Sequence, residues 1–403
     1  MRGRIRPGLG GYTDLTLWRL NNDGTPDATF GAGGVVHGPA GEAMALLGAT
    51  DGTFLVLYVS SQEVVVTRYG ANGELMGPVP EESVDVWHDR VSSLGKSAAI
   101  DSTGGVVVTD GGFGMMGAAG PQPTLRRFDA YGTADARFAP PQIPEFDPSA
   151  PRDNIATGRD IVVDSTGRIL VVGAMVVDGS FSAGVTVWRF NPDGSRDPTF
   201  GQDGVVVLDD AAVESVERAL SIAIDGDGRI VLTGVLLSGS NSAMTIWCMT
   251  PEGYPDASFG ENGRVVSSVP GPQDSESNGA IVRIDSESRI VVHGVVGDRT
   301  GAVWRYLPDG SPDESFGENG YVAPETYIPA ALRRRRIVPM SIAVDSSGRI
   351  VVAGTTAREP AADVLLWRLS TDGTLDRSFG VDGFLLYDRR RGFYGLTDGP
   401  LGQ

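Results

Sequence analysis

A single phrase recurs seven times along this chain, and a chain written in copies can fold only into something that stacks or arrays them. Its clearest copy is VWRFNPDGSRDPTFGQDGVVV, from Val187 to Val207. Other copies begin at Leu17, Val303 and Leu366, a degenerate one begins at Ile246, and two eroded ones surround Arg68 and Arg127. A second phrase precedes most of them, as in IAVDSSGRIVVAGTT from Ile342, IAIDGDGRIVLTGVL from Ile222 and IVVDSTGRILVVGAM from Ile161. The position of Trp18 returns at Thr67, Arg126, Trp188, Trp247, Trp304 and Trp367, a period of roughly 58 residues. Periods of this size belong to solenoids, propellers or arrays of small domains.

Both phrases read as strands. Ser341 to Val344, Arg349 to Thr355, Val364 to Leu369 and Phe384 to Tyr387 are short, rich in β-branched and aliphatic residues, and separated by Gly, Asp, Asn and Pro. Asp345 to Gly348 is a tight hairpin signal, and no stretch carries a sustained helical period. The reading is therefore all-β: a seven-bladed β-propeller with four-stranded antiparallel blades, one domain over residues 1–403, in which radial closure protects the strand edges. Gly3, Arg4 and Ile5 match the GRI of the second phrase, so the chain opens inside a unit, as a truncated or excised frame would. The first blade is expected to be incomplete. The tail Gly392 to Thr397 is the remaining segment with β-forming character, and it is expected to lie beside Gly3 to Arg6 and close the ring.

The pattern D-x-x-G-R-I-V-V-x-G followed by W-R-L-x-x-D-G-x-x-D-x-x-F-G-x-x-G resembles the delta-60 repeat family and runs through nearly the whole chain. The unit around Arg68 departs most, losing the Phe-Gly pair, and the next replaces it with Phe138 and Ala139. The resemblance implies a β-propeller of a bacterial surface or secreted protein, with no defined catalytic residues to carry over.

Composition narrows the partners. Lys and Arg total 33 against 51 Asp and Glu, a formal charge of −18, which opposes general binding to nucleic acid or anionic membrane. One cysteine, Cys248, excludes an internal disulfide and a cysteine-based zinc site. No apolar run is long enough to span a bilayer, and the start MRGRIRPGLGG lacks the apolar core of a signal peptide.

Repeated residues are structural by default, because a catalyst needs one site and a scaffold needs one contact per unit. Arg19, Arg68, Arg127, Arg189, Arg305 and Arg368 follow the Trp position, with Cys248 as the exception. Asp27, Asp135, Asp197, Asp256, Asp313 and Asp376 stand across the next turn. They are expected to pair within each blade, since a buried Arg needs a carboxylate. Glu74 is the expected stand-in near Arg68, and Asp256 is expected to be solvated. The Phe of the Phe-Gly pair reads as a core plug, with Gly required for positive φ or close approach. Asn21, Asp23 and Asp27, or Asp225 and Asp227, superficially resemble a calcium loop, but the terminal Glu is absent and turn chemistry accounts for them, so no cofactor is assigned. His37, His88 and His293 fall at non-equivalent positions and read as isolated residues.

The strongest non-repeating feature is basic. Arg333, Arg334, Arg335 and Arg336 run between two units, and Arg389, Arg390 and Arg391 follow the last fourth strand. Equivalent connections emerge on one face, so these seven arginines are the candidate site for an anionic ligand, a polysaccharide or an acidic protein surface. No aromatic platform accompanies them, which argues against nucleic acid. Two classes of function follow: a noncatalytic binding, adhesion or interaction scaffold, or alternatively a polysaccharide or small-ester lyase or hydrolase with its site at the central channel.

Overall fold

A computed structural model describes residues 14–49, 51–60, 63–76, 97–109, 123, 125–138, 155–177, 180–208, 215–238, 241–267, 277–296, 300–323, 337–356, 364–388 and 392–394. Each four-strand phrase folds as a meander in which consecutive strands pair. β1 (Asp14–Trp18) and β2 (Val35–Ala40) form a two-stranded ribbon. Two three-stranded sheets follow: β3 (Glu42–Gly48), β4 (Phe54–Ser60) and β5 (Glu63–Tyr69), then β6 (Ser97–Ile100), β7 (Val106–Thr109) and β8 (Leu125–Phe128). The next three have four strands each. They are β9 (Ile155–Val163) to β12 (Val205–Leu208) through β10 (Ile169–Val177) and β11 (Ser180–Phe190); β13 (Ser215–Ile224) to β16 (Arg264–Val266) through β14 (Ile230–Ser238) and β15 (Asn241–Met249); and β17 (Ser277–Ile284) to β20 (Tyr321–Val322) through β18 (Ile290–Val296) and β19 (Thr300–Tyr306). The last sheet has five: β21 (Ile337–Val344), β22 (Ile350–Thr356), β23 (Val364–Leu369), β24 (Phe384–Asp388) and β25 (Gly392–Tyr394).

The expectation of seven four-stranded blades is thus corrected: six blades carry three or four repeat strands each, and the seventh copy of the phrase supplies only the ribbon among the described residues. The physical reason lies in the phrases themselves. A fourth strand starts from the Phe-Gly-x-x-Gly turn, and the two units that erode that turn show three strands among the described residues. The first unit has the third- and fourth-strand phrase without a full D-x-x-G-R-I-V-V-x-G, and among the described residues β1 pairs with β2 alone where its counterpart β11 pairs on both edges. The tail Gly392–Tyr394 turns back onto β24 through Asp388↔Gly392, and residues 3–6, beside which it is expected to lie, are outside the described residues.

First strands of successive sheets touch one another, β3 to β6, β6 to β9, β9 to β13, β13 to β17 and β17 to β21, and so line the axis. Between sheets the core is apolar and layered. Leu170, Val172 and Val187 pack on Ile222, Ile230 and Trp247 of the next sheet, and Val291 and Val303 pack on Ile342, Val352 and Trp367 of the one after. Strands alternate their side chains between two neighbours, which is why the repeats read as continuous apolar runs rather than as polar-apolar alternation.

Candidate functional site

Antiparallel meanders sort the connections by face. Every hairpin between first and second strands, and every turn between third and fourth, falls at one end of the sheets, and the remaining connections fall at the other. On the first end sit the tight turns. Asp345 Oδ1 accepts from the N–H groups of Ser347 and Arg349 at 2.9 Å each, while its Oδ2 accepts from Arg349 Nε at 2.7 Å. Asp164, Asp225 and Asp285 repeat the arrangement with Arg168, Arg229 and Arg289. The arginine of D-x-x-G-R therefore clamps its own turn.

The second phrase's arginine does more than pair within a blade. Arg189 Nε donates to Asp197 Oδ2 at 2.8 Å and Arg305 Nε to Asp313 at 2.7 Å, both pairs buried, and Arg368 pairs with Asp376 at 2.7 Å. Each guanidinium lies over the Phe of its own Phe-Gly pair, 4.5 Å from Phe200 and 4.4 Å from Phe316. Its outer nitrogen reaches a backbone carbonyl of the next sheet: Arg189 to Pro251, Arg305 to Thr371 at 2.5 Å. The Gly of the pair does the same, Gly260 N–H donating to Asp309 O at 2.9 Å and Gly317 N–H to Asp372 O at 2.8 Å. A Cβ on Gly310, at φ +85°, would stand 3.0 Å from Phe259, so turn glycine and neighbouring Phe are matched across the seam. Burial pushes the Asp197 carboxyl up, but hydrogen bonds from Thr199 and the charge of Arg189 outweigh it and hold it below the usual carboxylate range. The whole assembly is a clip between adjacent sheets.

Clips carry the chain from its last sheet back to its first unit. Gly380 N–H donates to Asp23 O at 2.7 Å, Arg368 reaches Asn22 O, and Trp18 meets Tyr387 with ring centroids 4.5 Å apart. Two expected pairings are corrected. Arg68 takes Asp51 of its own first hairpin at 2.6 Å, and Glu74 instead accepts from Asn72 at 3.2 Å. Asp256 is not left to solvent: Arg229, while still held by Asp225, reaches Asp256 at 3.2 Å and Pro308 O at 3.0 Å, taking over both jobs vacated by Cys248. Burial pushes the Cys248 thiol up to about 12, which makes it inert.

At the axis the sequence reading missed a β-bulge in the first strands, at Met44, Arg159, Leu220, Ala280 and Met340. Just beyond it the innermost strands bond to one another: Asp160 Oδ2 accepts from Ile222 N–H at 3.0 Å and Ser221 Oγ at 2.7 Å, and Ser221 Oγ accepts from Val282 N–H at 3.3 Å. The signal was available as the small polar residue before the Ile of I-A-x-D.

The histidines are not brought together. His37 is exposed on β2, His293 is buried on β18, and His88 lies outside the described residues. Among the described residues no three of His, Cys, Asp and Glu form a group that could hold a metal ion. Arg333 to Arg336 and Arg389 to Arg391 also lie outside the described residues. Their flanks are described: Ile337 opens β21 and Asp388 closes β24, at the same end of one sheet, the end opposite the clips. Three strand spacings separate these strands, roughly 14 Å.

Four stretches, residues 8–30, 165–200, 288–316 and 346–379, match a family model described as "Domain of unknown function (DUF5122) beta-propeller". The repeat is a β-propeller repeat. A comparison with curated proteins finds no match. Among solved structures the propeller is similar to a quinonprotein alcohol dehydrogenase-like protein from Bacteroides thetaiotaomicron at 13% identity and TM-score 0.43, covering 85% of this chain and 65% of that one. It is similar to PorZ, a surface component of the type-IX secretion system of Porphyromonas gingivalis, at 12% identity and TM-score 0.43, covering 87% of this chain and 44% of that one. The polysaccharide lyase Uly1 matches at 10% identity and TM-score 0.48, covering 82% and 78%. The chain thus spans less than two thirds of the quinonprotein-like protein and of PorZ, 65% and 44% of their lengths.

Proposed function

We propose that this propeller is a noncatalytic interaction or adhesion scaffold, of the delta-60 kind, that works at or beyond a bacterial cell surface and binds an anionic partner through Arg333 to Arg336 and Arg389 to Arg391. The observation that supports it is the division of labour between the two ends of the sheets. The recurring charges are consumed by turns and clips at one end, while both arginine runs adjoin strand termini at the other. Guanidinium groups on an otherwise acidic molecule suit sulfate, carboxylate or phosphate groups arrayed on a polymer. An anionic polysaccharide or an acidic protein surface is the partner class.

The test is binding to heparin and to polygalacturonate at physiological salt, with all seven arginines replaced by Ser in one variant. Binding by the parent chain, lost in the variant at unchanged melting temperature, supports the reading. Binding that survives the replacement, or that is absent from the parent chain, ends it.

A further inference from the structure

We propose that the seam between the β17–β20 and β21–β25 sheets is an acid-sensitive joint that opens when His293 takes up a proton. His293 stands on β18 opposite Ile281 and Val303, and its side chain is fully buried. Neither ring nitrogen has a hydrogen-bond partner. On the same face, Val291 and Val303 pack in one cluster with Ile337, Ile342, Val352, Leu365 and Trp367 of the next sheet, and the imidazole meets the Trp367 ring edge-on at 6.0 Å.

The equivalent place is Val172 in β10, Thr233 in β14 and Ala353 in β22, so among these four sheets this one alone carries a base there. Room for it comes from the neighbouring strand. Gly301 occupies the register position of Val185 and Met244, and a Cβ there would come within 2.4 Å of His293 Nε2. Histidine and glycine form a matched pair at a place where the β9–β12 sheet matches valine with valine.

Among the described residues no hydrogen bond or ion pair links the imidazole to a group that could receive the charge of an imidazolium. From β19, β21, β22 and β23 the cluster presents aliphatic and indole groups. The charged groups of these elements are otherwise engaged: Arg305 with Asp313 and Arg368 with Asp376 in clips, Arg289 with Asp285 and Arg349 with Asp345 in turns, and Arg283 of β17 is exposed and donates to Val282 O. Burial alone depresses the imidazole to about 3, against an ordinary value near 6.5. For a base whose folded value is depressed, the open state binds the proton first. The contribution to closure is complete above the ordinary value and is lost progressively as pH falls toward the folded one. Between pH 6.5 and 5 the carboxylates held below 3.8 stay ionised, so this window belongs to histidine.

Hydrogen exchange followed peptide by peptide, corrected for the intrinsic rate, reads the joint directly. Between pH 7 and pH 5 the opening constant of β18, β22 and β23 should rise by about twenty-five-fold, the ratio that an ordinary imidazole value sets between these two pH values. β10, β14 and β15, which meet across the Val172 seam, should not respond. A variant carrying His293→Val and Gly301→Val, which copies the Val172 and Val185 pair, should abolish the pH response. His293→Thr, the residue of β14, serves if the double variant does not fold. Equal pH responses at both seams, or a response that survives in the variants, overturns the proposal. So does an imidazole in the folded parent chain that titrates by NMR near its ordinary value.

Discussion

The seam between the β9–β12 and β13–β16 sheets and the seam around the β1–β2 ribbon are fastened alike and buried differently. Arg189 and Arg19 each meet their aspartate at 2.8 Å, yet the Arg189 side chain is 3% exposed and that of Arg19 is 35% exposed. At the axis the contrast is larger: Leu46 of β3 is 64% exposed, whereas Ile222, at the same register position of β13, is 3% exposed. A clip is therefore a local device that forms from turn residues alone. What turns it into stability is the pair of inner strands that should lie behind it, and these are what the ribbon lacks among the described residues.

The largest expected effect that would break this comparison is at the arginines. Arg189→Met strands Asp197 in a buried site and should cost about 3–5 kcal/mol, against about 0–1 kcal/mol for Arg19→Met, both read by urea denaturation. Similar losses would mean that the clip stabilises by itself. Next come the apolar positions. Ile222→Ala should cost about 2–5 kcal/mol, while Leu46→Ala should stay within about 0.5 kcal/mol, as a surface change does. The glycines give a smaller contrast. Gly52 and Gly310 both hold positive φ, but a Cβ on Gly52 meets nothing within 4 Å, whereas one on Gly310 meets Phe259 at 3.0 Å. Gly52→Ala should cost about 1–2 kcal/mol for the left-handed backbone alone, and Gly310→Ala measurably more. The smallest effect is acidic. Asp197 and Asp313 have folded values below their unfolded value near 3.8, so their contribution is complete above that value and is lost as pH falls through the depressed one. Arg189→Met should flatten the dependence of stability on pH below about 4, and Arg19→Met, whose aspartate is also held low in part by its arginine, should flatten it less.

Much of the blade was legible in the chain. Val364 to Leu369 is the third strand as read, and the pairings of Arg189, Arg305 and Arg368 follow from an eight-residue offset across a hairpin. Offsets across one turn are readable because backbone geometry fixes them. Contacts between units are not. That Arg229 would cover for Cys248 depends on where a turn of the same sheet stands relative to the third strand, and that Arg68 would choose Asp51 depends on the eroded turn after it. Blade count failed for a related reason: seven copies of a phrase need not give seven complete sheets when copies are truncated or eroded. The arginine runs were visible as composition, and their common end of the sheet follows from strand order, but composition names no ligand.

Fastening at the hairpin end has a mechanical corollary. The sheets are riveted where their hairpins meet, like the ribs of a fan at its pivot, and among the described residues the clips all lie at that end. Lengthening a connection on that free side leaves every rivet in place, and each doubling of its length adds only about 0.6 kcal/mol of closure entropy. Inserts there are expected to be cheap, and inserts within Asp-Gly turns such as Asp309–Gly310 are expected to be ruinous, because they would pull the Pro308 and Asp309 carbonyls and Gly310 away from Arg229, Gly260 and Phe259 of the neighbouring sheet. A chain built this way can vary what it displays on one side without renegotiating how it holds together on the other.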